Sequence, residues 1–412
     1  MPNLSIIRFF RRQIDEISDD KALAAFGAAL AGISVLTAAF WLAIEPVDQI
    51  LAPGEPPVCW PFFRQCADWR LVPPAGILGI IGTLLLGGLL NVALFIEGRV
   101  KAGYVLLLLL AALKYAVVLQ DYRLIHNQHY MALWITAAFA LAPHKRIVTQ
   151  TLVAAFYFWA GVLKLNWDWV AGIGLYGRRP LGLPEALIPA ACVYVIILEL
   201  LIVFGLLSRR RWLFWFAFAQ FVLFQISSFW VVGWFYPLLM FLILSVFPLC
   251  RWAPAAPSMD AGAGARARWA AACVVGAFSL CQLVPATYGG DSTITGEGRY
   301  LALHMFDAPL ECRAFRIVTS AGATPEKLPL VPRYVYPRIA CDPLVHFELA
   351  RSFCPESQQA GLASDFTLVL ETRRKQQGDF ARIVEIPDFC ASGTHYAVFG
   401  HNEWIRSDAV PH

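Results

Sequence analysis

Two basic side chains stand where a lipid bilayer would have to accommodate them. Lys164 ends the run Tyr157-Phe158-Trp159-Ala160-Gly161-Val162-Leu163-Lys164, which is otherwise uncharged and is followed by Leu165-Asn166-Trp167-Asp168-Trp169-Val170-Ala171-Gly172. Its ammonium either snorkels to the headgroups or stays partly desolvated. Desolvation penalises the charged form, so a lysine held in the second way can act as a base near neutral pH. His129 lies in the stretch Asp121-Tyr122-Arg123-Leu124-Ile125-His126-Asn127-Gln128-His129-Tyr130. At an apolar boundary it is either a hydrated cap or a proton-handling group. Lys114 and Glu199 interrupt two other apolar runs. They sit roughly 16 Å and 12 Å from the inner ends of their helices, so they are able to pair. Such a pair reads either as bundle glue or as part of a proton path.

Groups so placed need helices that cross a membrane. The chain has 412 residues, 58% hydrophobic and 15% charged, with a mean hydropathy of +0.58, which excludes a soluble domain and a disordered one. Apolar runs near 23–44, 75–97, 103–120, 128–143, 147–165, 186–207, 212–230, 233–250 and 268–286 predict about nine spans. The seventh and eighth also read as one re-entrant hairpin. Ahead of them, Ile6, Phe9, Phe10, Ile14 and Ile17 recur at helical spacing beside Arg8, Arg11 and Arg12, as in an amphipathic helix on the inner surface. The fourth and fifth spans turn at Pro143 to Arg146. As antiparallel neighbours they bring His129 and Lys164 to heights within roughly 5 Å of each other.

Composition therefore divides the chain into an inner-surface helix over 1–22, a transmembrane domain over 23–286 and a β-rich domain over 287–412. In the last segment, Phe366-Thr367-Leu368-Val369-Leu370 and Arg382-Ile383-Val384-Glu385-Ile386 carry strand-like runs between Pro and Gly residues. Arg8, Arg11, Arg12, Lys21, Arg99, Lys101, Lys145, Arg146, Arg209 to Arg211, Arg251, Arg266 and Arg268 fall on one side, while the other side holds only Arg64, Arg70, Arg123, Lys164, Arg178 and Arg179. By the positive-inside rule the N-terminus is inside and the C-terminal domain outside. Six of the ten cysteines, Cys59, Cys66, Cys312, Cys341, Cys354 and Cys390, fall on that outer side, so disulfides are expected there. Cys59 and Cys66 close a small ring, structural or redox-active, and the four tail cysteines allow three pairings. Cys192, Cys250, Cys273 and Cys281 read as core residues. The net charge of +4 calls for no nucleic-acid partner, and the sequence shows no Cys/His metal cluster, P-loop or dinucleotide fingerprint.

The pattern Tyr-Phe-x-Ala-Gly-Val-x-Lys-Leu-x-x-Asp-Trp-Val-x-Gly over 157–172 resembles the signature of vitamin K-dependent γ-glutamyl carboxylases and their bacterial relatives, the HTTM family of membrane proteins. The resemblance implies that Lys164 deprotonates a reduced quinone, and that His129, matching a histidine before a span in those enzymes, shares the active site. It implies a vitamin K or menaquinone-type hydroquinone as cofactor, with O2 and CO2 as co-substrates. Epoxidation of the quinone would drive removal of a glutamyl proton and addition of CO2, on an exported peptide or a small acidic substrate. Asp168, Trp169, Tyr157, Tyr130, Gln225 and Tyr236 are the candidates for binding quinone or substrate; Gln225 and Tyr236 lie in the seventh and eighth spans, which are crowded with aromatics among which a flat ring could lodge. Gly298 to Phe306 weakly resembles the entry to the β-rich region of the carboxylases. Two departures stand against the full reaction: the chain is much shorter than the animal enzymes, and Leu163 replaces the first of their paired lysines. The other reading is a non-catalytic scaffold or assembly partner of the DoxX type. Heavy use of arginine over lysine, with abundant Ala and Gly, suggests a bacterial inner membrane.

Overall fold

The computed structural model describes residues 3–66, 68, 73, 76–175, 180–253, 263–303, 310–319, 324–335, 339–354, 365–374, 378–406 and 408. His304 to Phe306 of the C-terminal resemblance, and Arg70, Arg178 and Arg179 of the charge comparison, lie outside the described residues. The helices begin with α1 (Asn3–Ser18), α2 (Lys21–Ala43), the single turn α3 (Val47–Ile50), α4 (Ile77–Ile96) and α5 (Val100–Val118). There follow α6 (Asn127–Leu141), α7 (Lys145–Leu163), the turn α8 (Trp167–Val170), α9 (Ile188–Leu200) and α10 (Arg211–Val232). The last are α11 (Phe235–Leu244), α12 (Val246–Trp252), α13 (Ala263–Leu283), the turn α14 (Ser292–Thr295) and α15 (Pro343–Arg351).

Among the described residues, eight helical stretches are long and apolar enough to cross a membrane: Lys21–Ala43, Ile77–Ile96, Val100–Val118, Lys145–Leu163, Glu185–Leu207, Arg211–Val232, Phe235–Trp252 and Gly264–Thr287. The chain thus has the make-up of a polytopic α-helical membrane protein, with eight such helices rather than nine. The expected fourth span is α6, and its 15 residues fall short of the roughly 20 that a bilayer core requires.

The chain folds as two compact units. The first comprises Met1–Glu45, Gly76–Tyr115 and His126–Gln282; the second comprises Pro46–Ala75, Ala116–Ile125 and Leu283–His412. The second unit therefore takes in more chain than the β-rich segment expected from composition. In the first unit, Asp20 caps α2 by accepting from the Ala22 and Leu23 N–H groups. The α2 helix packs closely on α4 at Gly88, where a Cβ would stand 2.8 Å from a Val35 methyl. The α9 helix stops at Leu200, and the chain continues as a 3-10 helix over Ile202–Leu207.

The second unit is built on a four-stranded antiparallel sheet in the order β2-β1-β3-β4, with β1 Leu310–Val318, β2 Glu326–Pro329, β3 Phe366–Arg374 and β4 Ala381–Ile386. β3 and β4 contain the two runs that read as strands. Leu368, Val369 and Leu370 are all buried, as befits an inner strand. Sequence reading missed α15, whose Phe347 stacks on Trp404 at 5.0 Å and meets Phe389 edge-on at 5.2 Å. Three disulfides form, Cys59–Cys66, Cys312–Cys341 and Cys354–Cys390. All six bonded cysteines belong to this unit, whereas the free Cys192, Cys250, Cys273 and Cys281 belong to the first.

Candidate active site

Lys164 is the C-cap of α7, and its side chain turns inward rather than to a headgroup layer. The residue is 1% exposed, and its Nζ donates to Oε2 of Glu199 at 2.5 Å. Glu199, fully buried on α9, leaves its Oε1 with no partner among the described residues. The pairing depends on how closely α7 and α9 approach. A Cβ on Gly161 would lie 2.9 Å from the Glu199 Cβ and 2.9 Å from a Leu200 methyl, so only glycine lets α9 bring the carboxylate to the lysine. This gives the glycine of the 157–172 pattern a physical role. The expected Lys114–Glu199 pair does not form, because Glu199 is taken by Lys164. Depth along a helix does not fix which face a side chain occupies, and α9 ends at Leu200 instead of running on to 207.

Several candidate binding residues gather on this pair. The Trp169 ring centroid lies 5.5 Å from Lys164 Nζ, and its indole N–H is spent on the Cys192 carbonyl at 2.9 Å. Asn166 caps the α8 turn by accepting from the Trp169 N–H, which orients that ring, while Asp168 is half-buried on the same turn. Gln225 of α10 donates from Nε2 to the Tyr157 hydroxyl at 2.9 Å, and Tyr157 packs on Phe221 at 4.4 Å. Gln225 Oε1 lacks a partner. Tyr236 and Glu199 both lie within electrostatic reach of the Tyr157 hydroxyl. Tyr130 is elsewhere: its hydroxyl accepts from Gln282, and its ring lies beside Trp134 and Phe278.

His129 belongs to a second polar cluster. Its ring lies 5.6 Å from that of His126, 5.9 Å from Trp41 and 5.9 Å from Phe235, and Lys114 is within electrostatic reach. His126 Nε2 shares a 2.5 Å hydrogen bond with Glu45 Oε1. Four buried polar atoms here have no partner among the described residues: both ring nitrogens of His129, Trp41 Nε1 and Glu45 Oε2. Buried polar atoms are rarely left unpaired, so these four have hydrogen-bonding capacity to spare. Glu45 and His126 escaped sequence reading. The signal was there in His126 and His129, three residues apart at the entrance to a helix, and in a lone carboxylate directly before Pro46. Phe235 and Tyr236, adjacent at the start of α11, reach one cluster each.

Chemically, the first cluster holds an acid and a base in contact inside an apolar bundle, and the second holds an acid and two imidazoles. Comparison with protein-family models, curated proteins and solved structures finds no match, so the likeness to the HTTM carboxylases rests on the residues named above alone.

Proposed function

We propose that the membrane unit is a quinone-dependent enzyme of the carboxylase type, with Lys164 as the base and Glu199 as the group that holds its proton. The observation that supports this reading is the buried Lys164–Glu199 contact, in which one carboxylate oxygen stays available for a second proton partner. Transfer of one proton from ammonium to carboxylate leaves a neutral amine without exposing either group to water. That amine is a competent base for a hydroxyl brought against it. A reduced vitamin K or menaquinone-type molecule, with oxygen, would supply the strongly basic species needed to remove a carbon-bound proton before CO2 adds. Trp169, Tyr157 and Tyr236 offer aromatic surface for such a ring, and Gln225 offers a carbonyl oxygen to its hydroxyls. Asp168 stands on the α8 turn beside Trp169. His129, backed by the Glu45–His126 pair, handles protons at the second cluster rather than at Lys164 itself. The acceptor is a glutamyl side chain of an exported peptide or a small acid. The disulfides of the second unit support placing that unit in an oxidising compartment, outside a bacterial inner membrane; its segments after α2 and after α13 then share a side only if the short α6 crosses as well as the eight longer helices.

The test is epoxide formation from reduced menaquinone or vitamin K by the purified chain in detergent, with oxygen and bicarbonate supplied. The wild type should turn over, and Lys164→Ala and Glu199→Gln should not. Equal turnover by wild type and Lys164→Arg would sink the assignment, because a guanidinium does not give up its proton, and the scaffold reading would then lead.

A further inference from the structure

The first unit contains a cavity of about 590 Å³ at the other end of α7 from the candidate site. Arg146, near the start of that helix, lines it, and Lys164 is 18 residues further on, or about 27 Å at 1.5 Å per residue. The cavity is therefore not a quinone pocket for Lys164, and its lining shows what it fits. One part of the wall is apolar, made by Leu206, Phe214 and Phe247 among others. The rest is charged, and the charges do not cancel.

Both carboxylates in the wall are already engaged. Asp20 caps α2 and receives the Arg146 guanidinium through both oxygens, and Glu16 accepts from the Lys145 backbone N–H at 2.6 Å. Arg146 itself is paired with Asp20 and also donates to the carbonyls of Cys250 and Ala253. Arg251 is different. It donates to the Ser208 carbonyl at 3.2 Å and the Arg209 carbonyl at 2.9 Å and stands 5.0 Å from the Phe214 ring centroid. These contacts fix its position and neutralise none of its charge. Arg209, in the same wall, is exposed, and the His144 imidazole also lines the cavity. Arg146, Arg209 and Arg251 thus outnumber Glu16 and Asp20 in the wall, and among the described residues neither Arg209 nor Arg251 is bonded to a carboxylate, at a helix-bundle end where Arg209, Arg210 and Arg211 follow one another.

We infer that this cavity binds an anionic phospholipid, with the phosphate against Arg251 and Arg209 and an acyl chain along Leu206, Phe214 and Phe247. A basic pocket between transmembrane helices with apolar walls suits an amphiphile with a negative head, and a volume of about 590 Å³ is of ligand-pocket size. A zwitterionic lipid brings its own cation to the phosphate and gains nothing from the arginines.

The full chain, purified in detergent, would be offered phosphatidylglycerol, phosphatidylcholine or inorganic phosphate. Bound lipid is counted by native mass spectrometry, and the melting temperature is followed alongside. Phosphatidylglycerol should be retained at least tenfold more than phosphatidylcholine and should raise the melting temperature by several degrees. The double variant Arg209→Gln, Arg251→Gln should reduce retention to the phosphatidylcholine level. Should that variant fail to fold, Arg209→Gln alone, at an exposed side chain, should still cut retention several-fold. Equal retention of the two lipids, or unchanged retention in the variants, overturns the inference. So does an equal thermal shift with millimolar inorganic phosphate, which would mark a free-anion site.

Discussion

The two units each bury an ion pair, and the pairs are built on opposite plans. In the second unit, Arg123 and Asp121 leave nothing unspent. Asp121 accepts from the Val58 N–H at 3.2 Å and from the Arg123 N–H, Nε and Nη2, while Arg123 also reaches Glu55 at 2.8 Å and the carbonyls of Ile50, Pro56 and Arg333. Burial by itself would lower the Arg123 guanidinium, but the Asp121 and Glu55 carboxylates outweigh it and hold it above its ordinary value. A pair satisfied at every lone pair is fastened for good, and its use is to bind three segments of chain together. In Lys164–Glu199 of the first unit, Lys164 Nζ also reaches the Ala160 carbonyl at 3.4 Å, but Glu199 Oε1 has no partner among the described residues. A buried carboxylate oxygen left so is costly to keep, and under the proposed function it is the oxygen that takes part in proton transfer.

The contrast is broken most forcefully at the lysine. Lys164→Ala should lower the melting temperature by stranding the buried Glu199 carboxylate, and the molecules that remain folded should epoxidise roughly 10²- to 10⁴-fold more slowly, with Lys164→Arg faring no better. Undiminished epoxidation by the folded fraction would mean that this pair is glue alone. For the saturated pair the expectation for activity is reversed. Arg123→Ala should cost about 3–5 kcal/mol by stranding Asp121, read as a lower denaturation midpoint, and those molecules that remain folded should keep their activity.

His346 tests the same idea inside the second unit. Its Nε2 bonds the Ala340 carbonyl at 2.8 Å, but its Nδ1 has no partner among the described residues, and burial lowers its pKa from 6.5 to about 4. Because the folded value is depressed, the unfolded chain binds the extra proton first. The stabilisation is intact above about pH 6.5 and is lost as pH falls towards 4, by about 3 kcal/mol in all. Melting curves across that window should flatten in His346→Gln. The smallest effect belongs to Gly161→Ala, whose methyl would crowd Glu199 and Leu200. It should cost about 1–3 kcal/mol and slow epoxidation by lengthening the Lys164–Glu199 contact.

What the sequence disclosed followed from one-dimensional signals. Apolar runs located eight of the nine expected spans closely, all but the fourth, with the seventh and eighth as separate helices, and cysteine positions foretold which ones would be bonded. Cys59–Cys66 was legible because the two are seven residues apart, whereas the tail pairing needed the sheet, which sets Cys312 of β1 beside Cys341. The partner of Glu199 was not legible, because it depends on the rotation of α9 about its axis and on a glycine in another helix. The Glu45–His126 pair was hidden for a similar reason: its members are 81 positions apart and meet only through packing.

The order of the disulfides along the chain bears on how this protein is made. Each bonded cysteine has as its partner the next bonded one in sequence, 59 with 66, 312 with 341 and 354 with 390. A chain delivered from its N-terminus into an oxidising compartment would meet each correct partner as the next of the six to emerge. Native bonds would then form in order of arrival, without an isomerase to undo earlier mistakes. The two later bonds flank Pro343–Arg351, so the helix would be fastened at its leading end before its trailing end was out.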